Sequence, residues 1–236
     1  MSAAEKTMPE PLPCLTAAKI FLVSVFFSYL FPPAIFLLAK SIGVAVKGNH
    51  WFLLGGELYF PTLCALGIIG RLLRADDCRY GISRLHFRDG ATILGGWLFA
   101  LAGNLCICLG WKKLLEFLKW DFSTRQSILE VAQNSPSTVF WLLFLFTAGV
   151  VPLCEEIVFR RALYSLLLPW GRGTALIAGA AIFSAMHFFL LGAPGLFFFG
   201  IVLQLLFLRT KNLLIPIAVH SLFNASALIA AHFGQG

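Results

Sequence analysis

Residues 139–160 read VFWLLFLFTAGVVPLCEEIVFR. No charged residue occurs between Val139 and Cys154, and this run is long enough for about 24 Å of α-helix. Two adjacent carboxylates, Glu155 and Glu156, follow it directly. A charge at the centre of a membrane helix costs about 2.5–3.5 kcal/mol, so such residues usually have a function. The stretch therefore predicts a membrane helix that ends in functional ionisable groups.

The composition of the whole chain is that of an integral membrane protein. Of the 236 residues, 59% are hydrophobic and only 12% are charged, and the mean hydropathy is +0.85. These values exclude an ordinary soluble domain. Runs that could cross a hydrocarbon core of about 30 Å predict an all-α, multi-pass transmembrane helical bundle of about seven spans, within a range of about six to eight. The spans are predicted at 17–39, 51–73, 91–111, 137–154, 174–191, 194–208 and 213–233.

The basic residues indicate the orientation and the surroundings of the bundle. Most Lys and Arg residues fall on the side of the N-terminus, and the more basic side usually stays in the cytoplasm. The net charge of +7 is spread over short loops, which favours anionic lipid headgroups over nucleic acid as the partner. We therefore expect a cytoplasmic N-terminus. The compact chain and its short tail favour a bacterial inner membrane.

The chain divides into three parts. Residues 1–15 are polar and contain several prolines, which predicts a short flexible tail. Residues 16–136 hold the N-terminal transmembrane helices and loops, and Pro32-Pro33 predicts a kink or a break in the first span. Residues 137–233 form the helical core that carries the candidate site.

One connection between spans has a helical pattern of its own. Around residues 111–133, apolar side chains recur at helical spacing with lysines on the remaining face. This pattern predicts an amphipathic helix that lies in the membrane interface. Its expected role is that of a surface spacer and not of a substrate contact.

The charges after Cys154 separate into different roles. Glu156 and Arg160 lie four residues apart, with the carboxylate first, which favours an ion pair along one helix face. Glu155 points about 100° away from that face and lacks this partner, so it is the candidate general base. Pro152 permits a bend just before it. Arg161 is expected to reach lipid headgroups.

Two later helices add polar groups at membrane depth. Phe183 and His187 are four residues apart, so the aromatic ring can brace the imidazole. His220 and Asn224 have the same spacing and address one point in space. With Glu155, these groups provide a base for water, a proton relay and donors for an oxyanion, which are the requirements for hydrolysis of an amide.

The same residues are compatible with other functions. Glu155, His187 and His220 could instead coordinate a metal such as zinc, although the H-E-x-x-H spacing of zinc proteases is absent. A transporter or proton relay also uses intramembrane Glu and His, but no internal repeat is evident in this chain. A third alternative is a non-catalytic membrane scaffold that keeps the fold in order to bind a partner protein.

Three motifs in fixed order resemble the CPBP family of intramembrane proteases, which includes the type II CAAX prenyl endopeptidases and bacterial relatives of the bacteriocin-immunity ("Abi") type. The motifs are E-E-x-x-x-R at 155–160, F-x-x-x-H at 183–187 and H-x-x-x-N at 220–224. The likeness covers roughly residues 137–230. One departure is that Arg161 stands where the family often has glycine.

The resemblance implies an intramembrane endopeptidase that acts on a membrane-associated protein or peptide. It implies that Glu155 with His187 activates the water, and that His220 with Asn224 completes the site and holds the oxyanion. Glu156, Arg160 and Phe183 match supporting positions. Members of the family have been described both as metalloproteases and as glutamate-dependent, metal-free enzymes, so the resemblance leaves the cofactor open between none and zinc.

Overall fold

A computed structural model describes residues 9–26, 41, 81–121 and 126–234 of the chain. These ranges are helical with short connections and contain no β-strand, which confirms the all-α prediction. We number the helices in chain order. They are α1 (Cys14–Val25), α2 (Asp89–Phe117), α3 (Ser127–Asn134), α4 (Ser137–Trp170), α5 (Arg172–Ala185), α6 (Ala193–Thr210) and α7 (Leu214–Phe233).

Four of these helices, α2, α4, α6 and α7, are long and apolar enough to cross a membrane. They correspond to the predicted spans at 91–111, 137–154, 194–208 and 213–233 and confirm a multi-pass helical membrane protein. The predicted span at 51–73 and most of that at 17–39, including Pro32-Pro33, lie outside the described residues.

The predicted span at 174–191 is wrong in its extent. Helix α5 has only 14 residues, or about 21 Å, and it ends at Ala185. Phe188 then adopts a left-handed backbone conformation, with φ of 48°, and turns continue to Gly192 before Pro194 opens α6. Apolar composition did not reveal this connection because its residues, apart from His187, are almost as apolar as a helix core.

Helix α4 is the central element of the fold, and it does not end at residue 154 as predicted. It runs for 34 residues, which is about 50 Å. Segments at Leu145–Val150 and Ile157–Leu163 are wound more loosely, as π-helix. The charges that were expected to end the span are buried in protein instead, since Glu156, Arg160 and Arg161 are each at most 2% exposed.

The amphipathic helix predicted around 111–133 is divided. Its first residues form the last turns of α2, which ends at Phe117. Lys119 then takes a φ of 54°, and the left-handed conformation stops the helix. Helix α3 is a separate short element that buries Ile128 and Ala132.

The part of the predicted tail that the structure describes, residues 9–15, contacts α4. The backbone N–H of Leu12 donates to Ser165 Oγ on α4 at 3.0 Å, and α1 begins at Cys14. Arg161 donates to the carbonyl of Glu10 at 2.9 Å and lies 5.9 Å from the centre of the Phe207 ring. Arg161 therefore holds this segment against α4 and does not reach lipid headgroups.

The main hydrophobic core lies where α4, α5, α6 and α7 meet. It contains Phe159, Phe183, Phe199, Leu203 and Val219, and their burial removes large apolar surfaces from contact with solvent or lipid. At its centre α6 approaches α5 closely, because a side chain on Gly200 would place its Cβ 3.2 Å from Ala180 Cα. Glycine is therefore required at this crossing.

Replacing this glycine is expected to weaken the bundle. Gly200→Val should lower stability by about 1–3 kcal/mol, because the added methyl groups must displace the backbone of α5. The measurement is the thermal unfolding midpoint of the detergent-solubilised protein. Gly110→Val on α2 is the matched control, since no described atom lies within 4 Å of a Cβ built at that glycine. Equal midpoints for the two variants would contradict the close approach.

Candidate active site

A fully buried carboxylate, Glu156, is the hub of the site. Arg160 Nε donates to its Oε2 at 2.8 Å, which confirms the predicted ion pair along the helix. His220 Nδ1, from α7, lies 2.9 Å from its Oε1. Arg160 also donates to the Gly200 carbonyl on α6 at 3.1 Å. The contacts of Glu156 and Arg160 thus connect α4, α6 and α7, whereas the sequence predicted only an ion pair within one helix.

The contact with Glu156 fixes the orientation and the tautomer of His220. A carboxylate only accepts, so Nδ1 carries the proton and Nε2 is left for other partners. Nε2 lies 3.8 Å from Glu155 Oε2. This separation is too long for a direct hydrogen bond. The imidazole is thus held by a buried carboxylate on one side and faces a second carboxylate on the other.

Glu155 is the carboxylate that the structure leaves unsatisfied. Its side chain is 27% exposed, whereas its Oε2 atom is buried and has no hydrogen-bond partner among the described residues. A buried oxygen without a partner is costly and points to a ligand or to water. A water molecule beside Glu155 Oε2 and His220 Nε2 would satisfy both atoms.

His187 lies just beyond the end of α5, in the turn that leads to α6. Its Nδ1 is 2.8 Å from the Phe183 carbonyl, and because a carbonyl only accepts, Nδ1 is the donor and Nε2 remains available. The rings of Phe183 and His187 are 4.8 Å apart, as the four-residue spacing predicted. The turn is held by Trp111 Nε1, which donates to the Leu190 carbonyl at 3.0 Å.

Phe183 forms a shared wall of the site. Its ring lies 6.0 Å from that of His220, and Arg160 Cζ lies 5.0 Å from its centre. The two imidazoles therefore approach the same aromatic ring. Among the described contacts, the imidazole within ion-pair distance of Glu155 is that of His220, whereas His187 bonds to the Phe183 carbonyl. The joint action of Glu155 and His187 on water, which the resemblance implied, stays a prediction.

Asn224 contacts α4 and not the carboxylates. Its Nδ2 donates to the Thr147 carbonyl at 2.9 Å. This is a clamp between two helices, and it leaves the second N–H of the amide for another acceptor. Sequence reasoning missed Thr147 and Gly200, whose carbonyls accept hydrogen bonds from Asn224 and Arg160. Only Pro152 gave a hint of the former, because a proline leaves a helical carbonyl without its donor.

The alternative of a metal ligand set made of Glu155, His187 and His220 stays a prediction. Across the described ranges, no three His, Cys, Asp or Glu side chains are grouped so that they could hold a metal ion.

Comparison with known proteins finds relatives for the part of the chain that carries the site. Residues 137–226 match a family model described as type II CAAX prenyl endopeptidase Rce1-like. The matched segment contains every motif residue from Glu155 to Asn224. This segment is similar to CAAX-type proteases, in agreement with the resemblance that its motifs show. A curated relative, the membrane-embedded CAAX protease MroQ of Staphylococcus aureus (strain USA300), is 30% identical over 111 residues.

These similarities cover less than half of the chain. The alignment with the staphylococcal protease covers 44% of this chain and 43% of that protein. No solved structure shows significant similarity to this chain. The matched segment, residues 137–226, begins with α4, so α1, α2 and α3 precede it. Trp111 on α2 and Glu10 before α1 nevertheless contact the segment through Leu190 and Arg161.

Proposed function

We propose that this protein is an intramembrane endopeptidase that hydrolyses a peptide bond of a membrane-associated protein or peptide, with Glu155 as the general base. The observation that carries the proposal is the geometry of Glu155. It is partly accessible, one of its oxygens has no hydrogen-bond partner in the described structure, and that oxygen lies 3.8 Å from Nε2 of His220. A base that must bind water requires this combination.

The reaction follows from these positions. Glu155 removes a proton from a bound water molecule, and the resulting hydroxide attacks the carbonyl carbon of the substrate. The tetrahedral oxyanion is stabilised by an N–H donor, for which the second N–H of Asn224 is the candidate, while Nε2 of His187 is an acceptor that can orient the attacking water. Glu155 then gives the proton that it took from water to the leaving amine, through Nε2 of His220, so that the peptide C–N bond breaks and Glu155 is again a carboxylate. The buried pair of Glu156 and Arg160 keeps His220 in the required tautomer.

The family relationship supports the substrate class. The matching model describes prenyl endopeptidases, and the staphylococcal relative is described as a membrane-embedded CAAX protease. We propose that the substrate of this chain is likewise a membrane-anchored polypeptide. We further propose a bacterial inner membrane as its location, with the cytoplasmic N-terminus that the charge pattern predicts.

The test is cleavage by the purified protein in detergent or proteoliposomes, using a panel of membrane-anchored peptides with and without a C-terminal prenyl group. The wild-type protein and Glu116→Gln, which changes an exposed carboxylate on α2, should cut at least one peptide at equal rates. His220→Ala should not cut it. Cleavage that survives His220→Ala would overturn the assignment.

The proposed chemistry has a consequence for metal dependence. Because we propose that the Glu155 carboxylate itself activates the water, we expect proteolysis to continue after dialysis against EDTA or 1,10-phenanthroline. The measurement is the initial rate before and after chelation, with zinc added back in a third sample. A loss of activity that zinc restores would contradict the glutamate mechanism.

A further inference from the structure

The segment of α4 just before Glu155 has an unusual hydrogen-bond register. Leu145–Val150 is wound as π-helix, and the N–H of Val151 donates to the carbonyl of Phe146, five residues earlier. In this register the carbonyl of Thr147 would receive the N–H of residue 152. That residue is Pro152, which has no N–H. The helix therefore cannot satisfy the Thr147 carbonyl by itself.

Asn224 supplies the missing donor. Its Nδ2 lies 2.9 Å from the Thr147 oxygen, and Thr147 is buried. A carbonyl without a donor costs several kcal/mol where water is excluded, so this bond is required for the π register to persist. Asn224 lies one turn beyond His220 on α7. The same bond therefore also fixes α7 against α4 next to the site.

The register of this segment decides which carboxylate faces His220. A π turn accommodates one residue more than an α turn, and each residue of a helix advances its side chains by about 100°. Return to an α register before residue 151 would rotate the following part of α4 by about that angle. Glu155 and Glu156 would then no longer face Nε2 and Nδ1 of His220.

We propose that Asn224 is a positioning residue whose amide replaces the N–H that Pro152 lacks, and that this bond sets the register in which α4 presents Glu155 to His220. The inference rests on the proposed function for its catalytic consequence, but the structural bond is independent of it. It assigns to Asn224 a role different from that of an oxyanion donor. The two roles are separable, because only the positioning role depends on Pro152.

The test compares the effect of Asn224→Ala in two backgrounds, the native chain and Pro152→Ala, which restores a backbone N–H at residue 152. In the native chain, Asn224→Ala should lower both the thermal midpoint and the cleavage rate. In the Pro152→Ala background the loss of rate should be smaller by about tenfold, and the midpoint should fall less, because a backbone donor is present. Asn134→Ala is the control, since that amide donates to the exposed Glu130 carbonyl at 2.8 Å.

If Asn224→Ala lowers the thermal midpoint equally in both backgrounds, the proposal is overturned, whatever the cleavage rates are. Equal losses of rate together with an unchanged midpoint would assign Asn224 to the oxyanion alone and would also overturn it. If Asn224→Ala does not fold, Asn224→Asp takes its place, because an ionised carboxylate has no donor for the Thr147 carbonyl. Since the midpoints are measured without substrate, a protein that cuts no peptide still tests the bond, and failure of the proposed function remains a separate result.

Discussion

Glu155→Gln is expected to abolish proteolysis while leaving the protein folded. Glutamine has nearly the shape of glutamate but cannot accept a proton from water, and loss of a general base lowers rates by about 10²–10⁴-fold. The carboxylate makes no hydrogen bond through its buried oxygen in the described structure, so the neutral amide removes little stabilisation. We therefore expect the cleavage rate to collapse and the thermal midpoint to stay the same or to rise.

The comparison of rate with midpoint makes this prediction specific. Both are measured on the same preparation, beside Glu116→Gln as the variant of an exposed carboxylate. A structural role for Glu155 would lower the midpoint together with the rate. A rate within threefold of the wild-type value, on the order expected for a remote substitution, would remove Glu155 from the mechanism.

Arg160→Met is expected to have the largest effect on stability. It removes the guanidinium from a fully buried carboxylate and leaves Glu156 with His220 as its only described polar partner. Breaking a buried ion pair by removing one partner costs about 3–5 kcal/mol, because an uncompensated charge stays buried. The measurement is unfolding of the detergent-solubilised protein, and we expect a large fall in its midpoint.

The chain offers a matched exposed pair as the control. Lys112 and Glu116 have the same four-residue spacing and lie 3.7 Å apart, but both are about half exposed. Lys112→Met should therefore cost about 0–1 kcal/mol. The double variant Glu156→Leu with Arg160→Met should recover part of the stability, since both buried charges are gone. If Lys112→Met and Arg160→Met lower the unfolding midpoint by the same small amount, burial does not make the ion pair of Glu156 and Arg160 important for stability.

Contacts within one helix could be predicted from the sequence. A helix brings residues four apart to the same face, and this rule gave the pair of Glu156 and Arg160 and the contact of Phe183 with His187. The same periodicity separated Glu155 from Glu156. Apolar length gave four of the membrane helices, since only a continuous helix satisfies its backbone within a bilayer.

Contacts between helices could not be predicted in this way. The bond of His220 to Glu156 joins residues 64 apart in the chain, and that of Asn224 to Thr147 joins residues 77 apart. Such pairs depend on how the helices cross, which local spacing does not encode. Arg161 was misjudged for the same reason. The expectation of a headgroup contact assumed lipid beside it, whereas the backbone of Glu10 occupies that place.

The central claim is that this protein cuts a membrane-associated polypeptide with Glu155 as its base. The most direct test is quantitative membrane proteomics that maps new N- and C-termini in cells producing either the wild-type protein or Glu155→Gln at equal levels. Our account predicts at least one membrane protein or peptide that accumulates uncut with Glu155→Gln and is cleaved at a single site with the wild-type protein. Identical sets of termini in the two cell populations would contradict it.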